Sequence, residues 1–127
     1  MIRLAIALAS GAAALLGPAA LRHSAVLTQA TPGLWELRRV PDGKPVRVCV
    51  ADIAALAQLE HRDQACGRKL VSSDGASTVL RYTCPASGFG QSTLTMVTPR
   101  ALTIETQGIS GGLPFNYVVH ARRVGDC

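Results

Sequence analysis

Residues 66–84 read C-G-R-K-L-V-S-S-D-G-A-S-T-V-L-R-Y-T-C, with a cysteine at each end and S-D-G-A at the centre. Asp-Gly is a turn signal, because glycine accepts the positive φ that reverses a chain. The flanks, 67–72 and 77–84, carry Val, Leu, Thr and Tyr, which suit a pleated, half-buried surface. The stretch therefore reads as a β-hairpin. With 74–76 as a three-residue loop, Ser73 faces Ser77, and counting back along both strands sets Cys66 opposite Cys84. A cross-strand bridge fits that register and leaves Cys49 to pair with Cys127. Closing so long a loop contributes about 4 kcal/mol through the entropy of the unfolded chain. One competing scheme stays open: Cys49 with Cys66 across a short helix, and Cys84 with Cys127.

Disulfides are the natural reading of these four cysteines. Zinc sites pair ligands two to four residues apart. Here the intervening gaps are 16, 17 and 42 residues, and no C-x-x-C occurs. No metal or cofactor is expected.

Outward from the hairpin, the rest of the chain also reads mainly β. Gly33–Val40 is a strand, P-D-G-K-P at 41–45 a turn, and Val46–Val50 a short strand. Asp52 caps a short helix whose apolar side holds Ile53, Leu56, Ala57 and Leu59. His61 and Arg62 lie at its C-terminal end, where positive charge suits the helix dipole. Further strands fall at 91–98, 101–107 and 115–124, separated by P-A-S-G-F-G, P-R and G-I-S-G-G-L-P. Leu94 and Met96 alternate with threonines, as do Leu102 and Ile104 with Thr103 and Glu105, so one sheet face is buried and the other largely wet. The expected fold is α+β and mainly β. It is a curved antiparallel sheet or partial barrel of about six to seven strands, with one short helix and two disulfides.

The N-terminus reads as an export signal. M-I-R precedes an apolar run from Leu4 to Leu16, Gly17 and Pro18 break it, and no charge occurs between Arg3 and Arg22. Candidate cuts follow Ala20, Ala25 and Ala30. Residues 1–30 are therefore assigned to a signal peptide cleaved between about 20 and 30. Residues 31–127 form one domain, with no stable membrane span once the signal is gone. No cysteine precedes Cys49, so a lipidated N-terminal cysteine is excluded.

The composition takes on a different weight after that cut. The 127 residues are 48% hydrophobic, 17% charged and 4% aromatic, with net charge +5. This excludes a disordered chain, a coiled coil and a multidomain enzyme. Removing residues 1–30 takes Arg3 and Arg22 and no acid. Eleven basic residues then stand against eight acidic ones, a charge of +3. Export and that modest charge both argue against nucleic acid as partner. A small core low in aromatics gains from crosslinks, and an oxidising compartment preserves them.

Signs of catalysis are sparse. His61 and His120 lie in no recognised motif, and G-x-S-x-G, H-E-x-x-H and P-loop patterns are absent. Carboxylates are few and dispersed; Glu36 with Glu105 or Asp126 is a candidate pairing in space that nothing in their spacing predicts. No catalytic residue is assigned. Trp35, Tyr82, Tyr117, Phe89 and Phe115 read as packing residues. The basic doublets Arg38–Arg39, Arg68–Lys69 and Arg122–Arg123 are candidate anion-binding residues. Neighbours on a strand point to opposite faces, so one member of each doublet faces the apolar side.

Several of these stretches also carry a resemblance. P-G-L-W-E at Pro32–Glu36, C-V-A-D at Cys49–Asp52, Cys66, Y-T-C-P at Tyr82–Pro85 and R-R-V-G-D-C at Arg122–Cys127 follow one another in an order similar to the family called domain of unknown function 3617. The resemblance spans 31–127. Family members often follow the first cysteine with Leu-Thr-Pro-Glu, where this chain has Val50, Ala51, Asp52 and Ile53. The resemblance implies a Gram-negative envelope location, in the periplasm, and supplies no catalytic residue, cofactor or substrate. The function expected is a non-catalytic binding or structural envelope protein. Its partner is an envelope protein or a small apolar or anionic ligand. The alternatives are a carrier of an anionic amphiphile or lipid, and an envelope hydrolase.

Overall fold

The computed structural model describes residues 24–127. The run Leu4–Leu16 and its breakers Gly17 and Pro18 lie outside them. Seven antiparallel strands form one open sheet: β1 (Gly33–Arg39), β2 (Val46–Val50), β3 (Gly67–Asp74), β4 (Ser77–Thr83), β5 (Phe89–Thr98), β6 (Ala101–Ser110) and β7 (Leu113–Gly125). Their order across the sheet is β2-β1-β7-β6-β5-β4-β3. Strands β3 to β7 are a meander, and the β1–β2 hairpin adds to the free side of β7. The two edges, β2 and β3, are consecutive in sequence. The link between them contains a 3₁₀ helix, Ile53–His61, packed on β4, β5 and β6.

Alternation decides which face that helix covers. Trp35 and Leu37 on β1, Leu80 and Tyr82 on β4, Leu94 on β5, Leu102 and Ile104 on β6, and Val119 and Ala121 on β7 share the buried face. Leu56 and Ala57 of the 3₁₀ helix pack against them. One buried hydroxyl joins helix to sheet. Ser92 Oγ donates to the Ala57 carbonyl and lies 2.7 Å from Thr106 Oγ1. A buried hydroxyl without such partners costs about 1–3 kcal/mol.

Two sequence expectations need correction. The β3–β4 loop is not three residues long: Asp74 faces Ser77 across Gly75 and Ala76, and Ser73 faces Thr78. A bulge at Val71 then absorbs one residue of β3, so Leu70 faces Leu80 and Gly67 faces Thr83. The two shifts cancel. Cys66 therefore comes opposite Cys84, and the two are bonded, with Cα atoms 4.2 Å apart. The strands bounded at 91, 107 and 115 by Gly-rich turns are longer than read. Gly111 and Gly112, at φ +57° and +77°, form a two-residue turn, as a twisted hairpin requires, so Gly108–Ser110 and Leu113–Pro114 stay in strands. The short helix capped by Asp52 is present as expected; it is a 3₁₀ helix, and Gln58 (φ −118°, ψ 41°) kinks it.

One element is absent from the sequence reading. Ala25–Gln29 form a helix, α1, capped by Ser24, whose hydroxyl accepts from the Leu27 amide. Val26 is fully buried and Ala30 nearly so. The Ser24 hydroxyl hydrogen-bonds Thr78 Oγ1 on β4.

The second disulfide, Cys49–Cys127, ties edge strand β2 to the segment just beyond β7, with Cα atoms 5.6 Å apart. Leu34 of β1 lies between, paired with Cys49 on one side and Gly125 on the other.

Candidate functional site

The buried histidine is the first place to look for chemistry. His61 ends the 3₁₀ helix and points into the core, 5% exposed. Its Nδ1 lies 2.8 Å from the Tyr82 hydroxyl, and its ring packs edge-on to Tyr82 and Phe115. Nε2 has no hydrogen-bond partner and abuts Gly88, where any side chain would collide with it. Burial, with Glu60 nearby, pushes the Tyr82 hydroxyl up to about 12. The group that His61 touches is therefore a sealed, neutral phenol. His120 is exposed on the opposite face of the sheet. The carboxylates stand apart. Glu36 is held by Arg47 and Arg122, Asp126 by Arg123, and Glu105 is exposed on β6.

The six candidate cations do not form one site. Arg39, Arg68 and Arg123 share the side of the buried face, as the doublet argument expects, and each is engaged separately. Arg68 pairs with Asp52 at 3.4 Å. Arg123 donates to the Pro32 carbonyl at 2.8 Å and to Asp126. The Arg39 guanidinium stacks 3.6 Å from the Tyr117 ring centroid and pairs with Glu60 at 3.7 Å. On the opposite face, Arg38 and Arg122 flank a 480 Å³ hollow with His120 and Glu36. Lys69 sits on edge strand β3, opposite Arg81.

Two further hollows combine apolar walls with polar or charged side chains at the margin. The first is a 280 Å³ groove beside the last turn of the 3₁₀ helix. Leu37, Val46, Leu59 and Val119 floor it, and Arg39, Lys44 and Arg62 rim it. Tyr117 donates to Glu60 Oε2 at 2.7 Å across this groove. Burial, and then that bond to Glu60, push the Tyr117 hydroxyl up to about 12 against the opposing effect of Arg39. Among the described residues, no carboxylate lies within ion-pair distance of Lys44 or Arg62.

The second hollow lies on the outer face where β5, β6 and β7 meet the Gly111–Gly112 turn. The register aligns Phe89, Ile109 and Pro114 in one row across three strands, with Arg81, Gln91, Gln107 and Asn116 in the next. Phe89 is 52% exposed there. Around these rows is a 480 Å³ hollow with largely apolar walls. Its polar side is ordered, since Arg81 donates to Gln91 Oε1 from both Nε and Nη2. The sequence reads Phe89 and Phe115 as core or core-edge packing residues. Phe115 does pack on His61, but Phe89 faces water. The signal for this hollow is the two-residue Gly-Gly turn, which extends β6 and β7 far enough to align Ile109 with Pro114.

No described helix is long and apolar enough to cross a membrane. Comparison with known proteins adds a family and nothing more specific. A family model described as Protein of unknown function (DUF3617) matches residues 30–127. No curated protein matches, and no solved structure matches.

Proposed function

Given that the chain belongs to the DUF3617 family, we propose that it is a non-catalytic binding protein of the bacterial envelope, exported to the periplasm, that receives a small apolar ligand on its outer face. The observation that carries this is the 480 Å³ hollow bordered by Phe89, Ile109 and Pro114. Its volume falls in the range of small-molecule sites, and its walls are apolar with a few polar groups at one side, as such sites are built. The amides of Gln91, Gln107 and Asn116 both donate and accept hydrogen bonds, so they suit a neutral ligand with a polar end. Two disulfides suit an oxidising compartment.

A neutral fluorescent probe, N-phenyl-1-naphthylamine, tests the reading. The expected result is saturable binding to the wild type and at least a tenfold loss in F89Q/I109Q. Both substitutions alter exposed or half-exposed side chains and leave the fold in place. Unsaturable binding, or equal binding by that variant, refutes the site.

A second reading, a carrier of an anionic amphiphile, is favoured by Lys44 and Arg62 beside the apolar floor of the inner groove. Laurate is its probe. Laurate binding that is lost in K44Q/R62Q and kept in F89Q/I109Q assigns the ligand to that groove instead.

A further inference from the structure

The buried N-terminal helix bears on where the leader is removed. Sequence alone leaves cuts after Ala20, Ala25 and Ala30 open. We infer that a signal peptidase cuts this chain on the N-terminal side of Ser24, after Ala19 or Ala20, so that Ser24–Ala30 stays in the mature protein as a plug of its core. This rests on the export reading above.

The contacts made by residues 24–35 carry the inference. Val26 is 0% exposed and packs in the main core cluster. Ser24 is 2% exposed, and its hydroxyl is bonded to that of Thr78, itself 0% exposed. A cut after Ala25 or Ala30 removes Ser24. It leaves Thr78 with Ser73 at 3.4 Å as its remaining side-chain partner. A cut after Ala30 also removes Val26 and opens a void against β4 and β5, on which α1 packs. Such voids are costly because interiors are close-packed.

That last cut has a second cost, in charge. It makes Thr31 the new terminus. The Thr31 amide donates to the Pro99 carbonyl at 2.9 Å, and the Thr31 carbonyl accepts from Trp35 Nε1 at 3.0 Å. A cationic ammonium is then fixed beside the fully buried Trp35, where its hydration is reduced.

Cleavage before Ser24 avoids both costs, and the sequence provides for it. Cutting after Ala19 puts Gly17 three positions before the bond and Ala19 just before it, the small-residue pair that signal peptidases accept. Cutting after Ala20 keeps the small residue beside the bond but sets Pro18 at the third position. In either case, water adds across the peptide bond. Its hydroxyl completes the new carboxyl of the leader, and its proton completes the new amine of the mature chain. The family match begins only at residue 30, so the plug lies almost wholly outside the stretch that the family model describes.

Express the full chain in a Gram-negative host, then determine intact mass and N-terminal sequence in each fraction. The expected periplasmic product begins at Ala20 or Leu21 and has no free thiol. A folded product beginning at Val26 or Thr31 overturns the inference while leaving export intact. An intact Met1 in the membrane fraction also overturns processing and leaves export standing. An intact Met1 in the cytosol overturns both. As a second measurement, V26A in the full chain is expected to keep the same cut and lower the melting midpoint of the purified product by several degrees. An unchanged midpoint refutes the plug.

Discussion

At the scale of single residues, the two tyrosines of the chain have a shared property with a visible consequence. Tyr82 and Tyr117 are both pushed up to about 12, chiefly by burial, with Glu60 adding to each. In the unfolded chain a phenol ionises near 10. Below that value both states keep their protons, and the native preference for neutral phenols is fully present. Between about 10 and 12 the unfolded state releases protons that the folded state retains. Stability therefore falls as pH rises through that window. We expect native phenolate absorbance to appear late and steeply, together with loss of structure, instead of titrating smoothly near 10. Y117F is expected to soften the alkaline decline. A smooth native titration near 10 contradicts the burial of both rings. The packing role of these tyrosines was legible from sequence. Their partners Glu60 and His61 were not, because a kink at Gln58 sets the direction of the last helical turn and nothing in residue spacing announces it.

At the scale of elements, the β3–β4 hairpin shows how one register can be reached by two routes. Local turn chemistry locates S-D-G-A correctly but does not distinguish a two-residue from a three-residue loop. The bulge at Val71 is also silent in the sequence, since an extra residue on an edge strand needs no special side chain. The two errors compensate at Cys66, so this pairing could be read from the cysteines although the loop could not. The same blindness shortened β6 and β7 in the sequence reading. Glycines at 108, 111 and 112 all look like turn residues, yet Gly108 is in a strand and only the other two turn the chain. The apolar hollow lies on that unread extension, and so was not foreseen. Deleting Val71 gives a direct check. With the bulge residue gone, Leu70 still faces Leu80, so the Cys66–Cys84 bond is expected to form and thiol titration to find no free thiol. A straightened β3 is also a longer regular edge, so this variant is expected to aggregate more readily than wild type. Two free thiols in the deletion variant contradict the register.

For the whole molecule, the sheet is open, and each of its two edges is held by one disulfide. Cys49 lies on edge strand β2, and Cys66 stands just ahead of edge strand β3. The enclosed stretches differ in length, with sequence separations of 78 and 18. By loop-closure entropy, the double variant C49S/C127S is expected to lose about 4.5 kcal/mol and C66S/C84S about 3 kcal/mol. Denaturant titration of each reads that order directly, and a larger loss from the shorter loop contradicts it.

The bridge between Cys49 and Cys127 also governs what a protease can do to this protein. Every peptide bond between Cys49 and Cys127 is enclosed in the ring that the bridge closes. A single cut at the exposed Pro99–Arg100 turn, or anywhere else in that ring, yields two pieces still joined through sulfur. A cut ahead of Cys49, by contrast, frees a fragment. A copy nicked once within the ring therefore remains one covalent object. It migrates as the intact chain until a reductant separates the pieces.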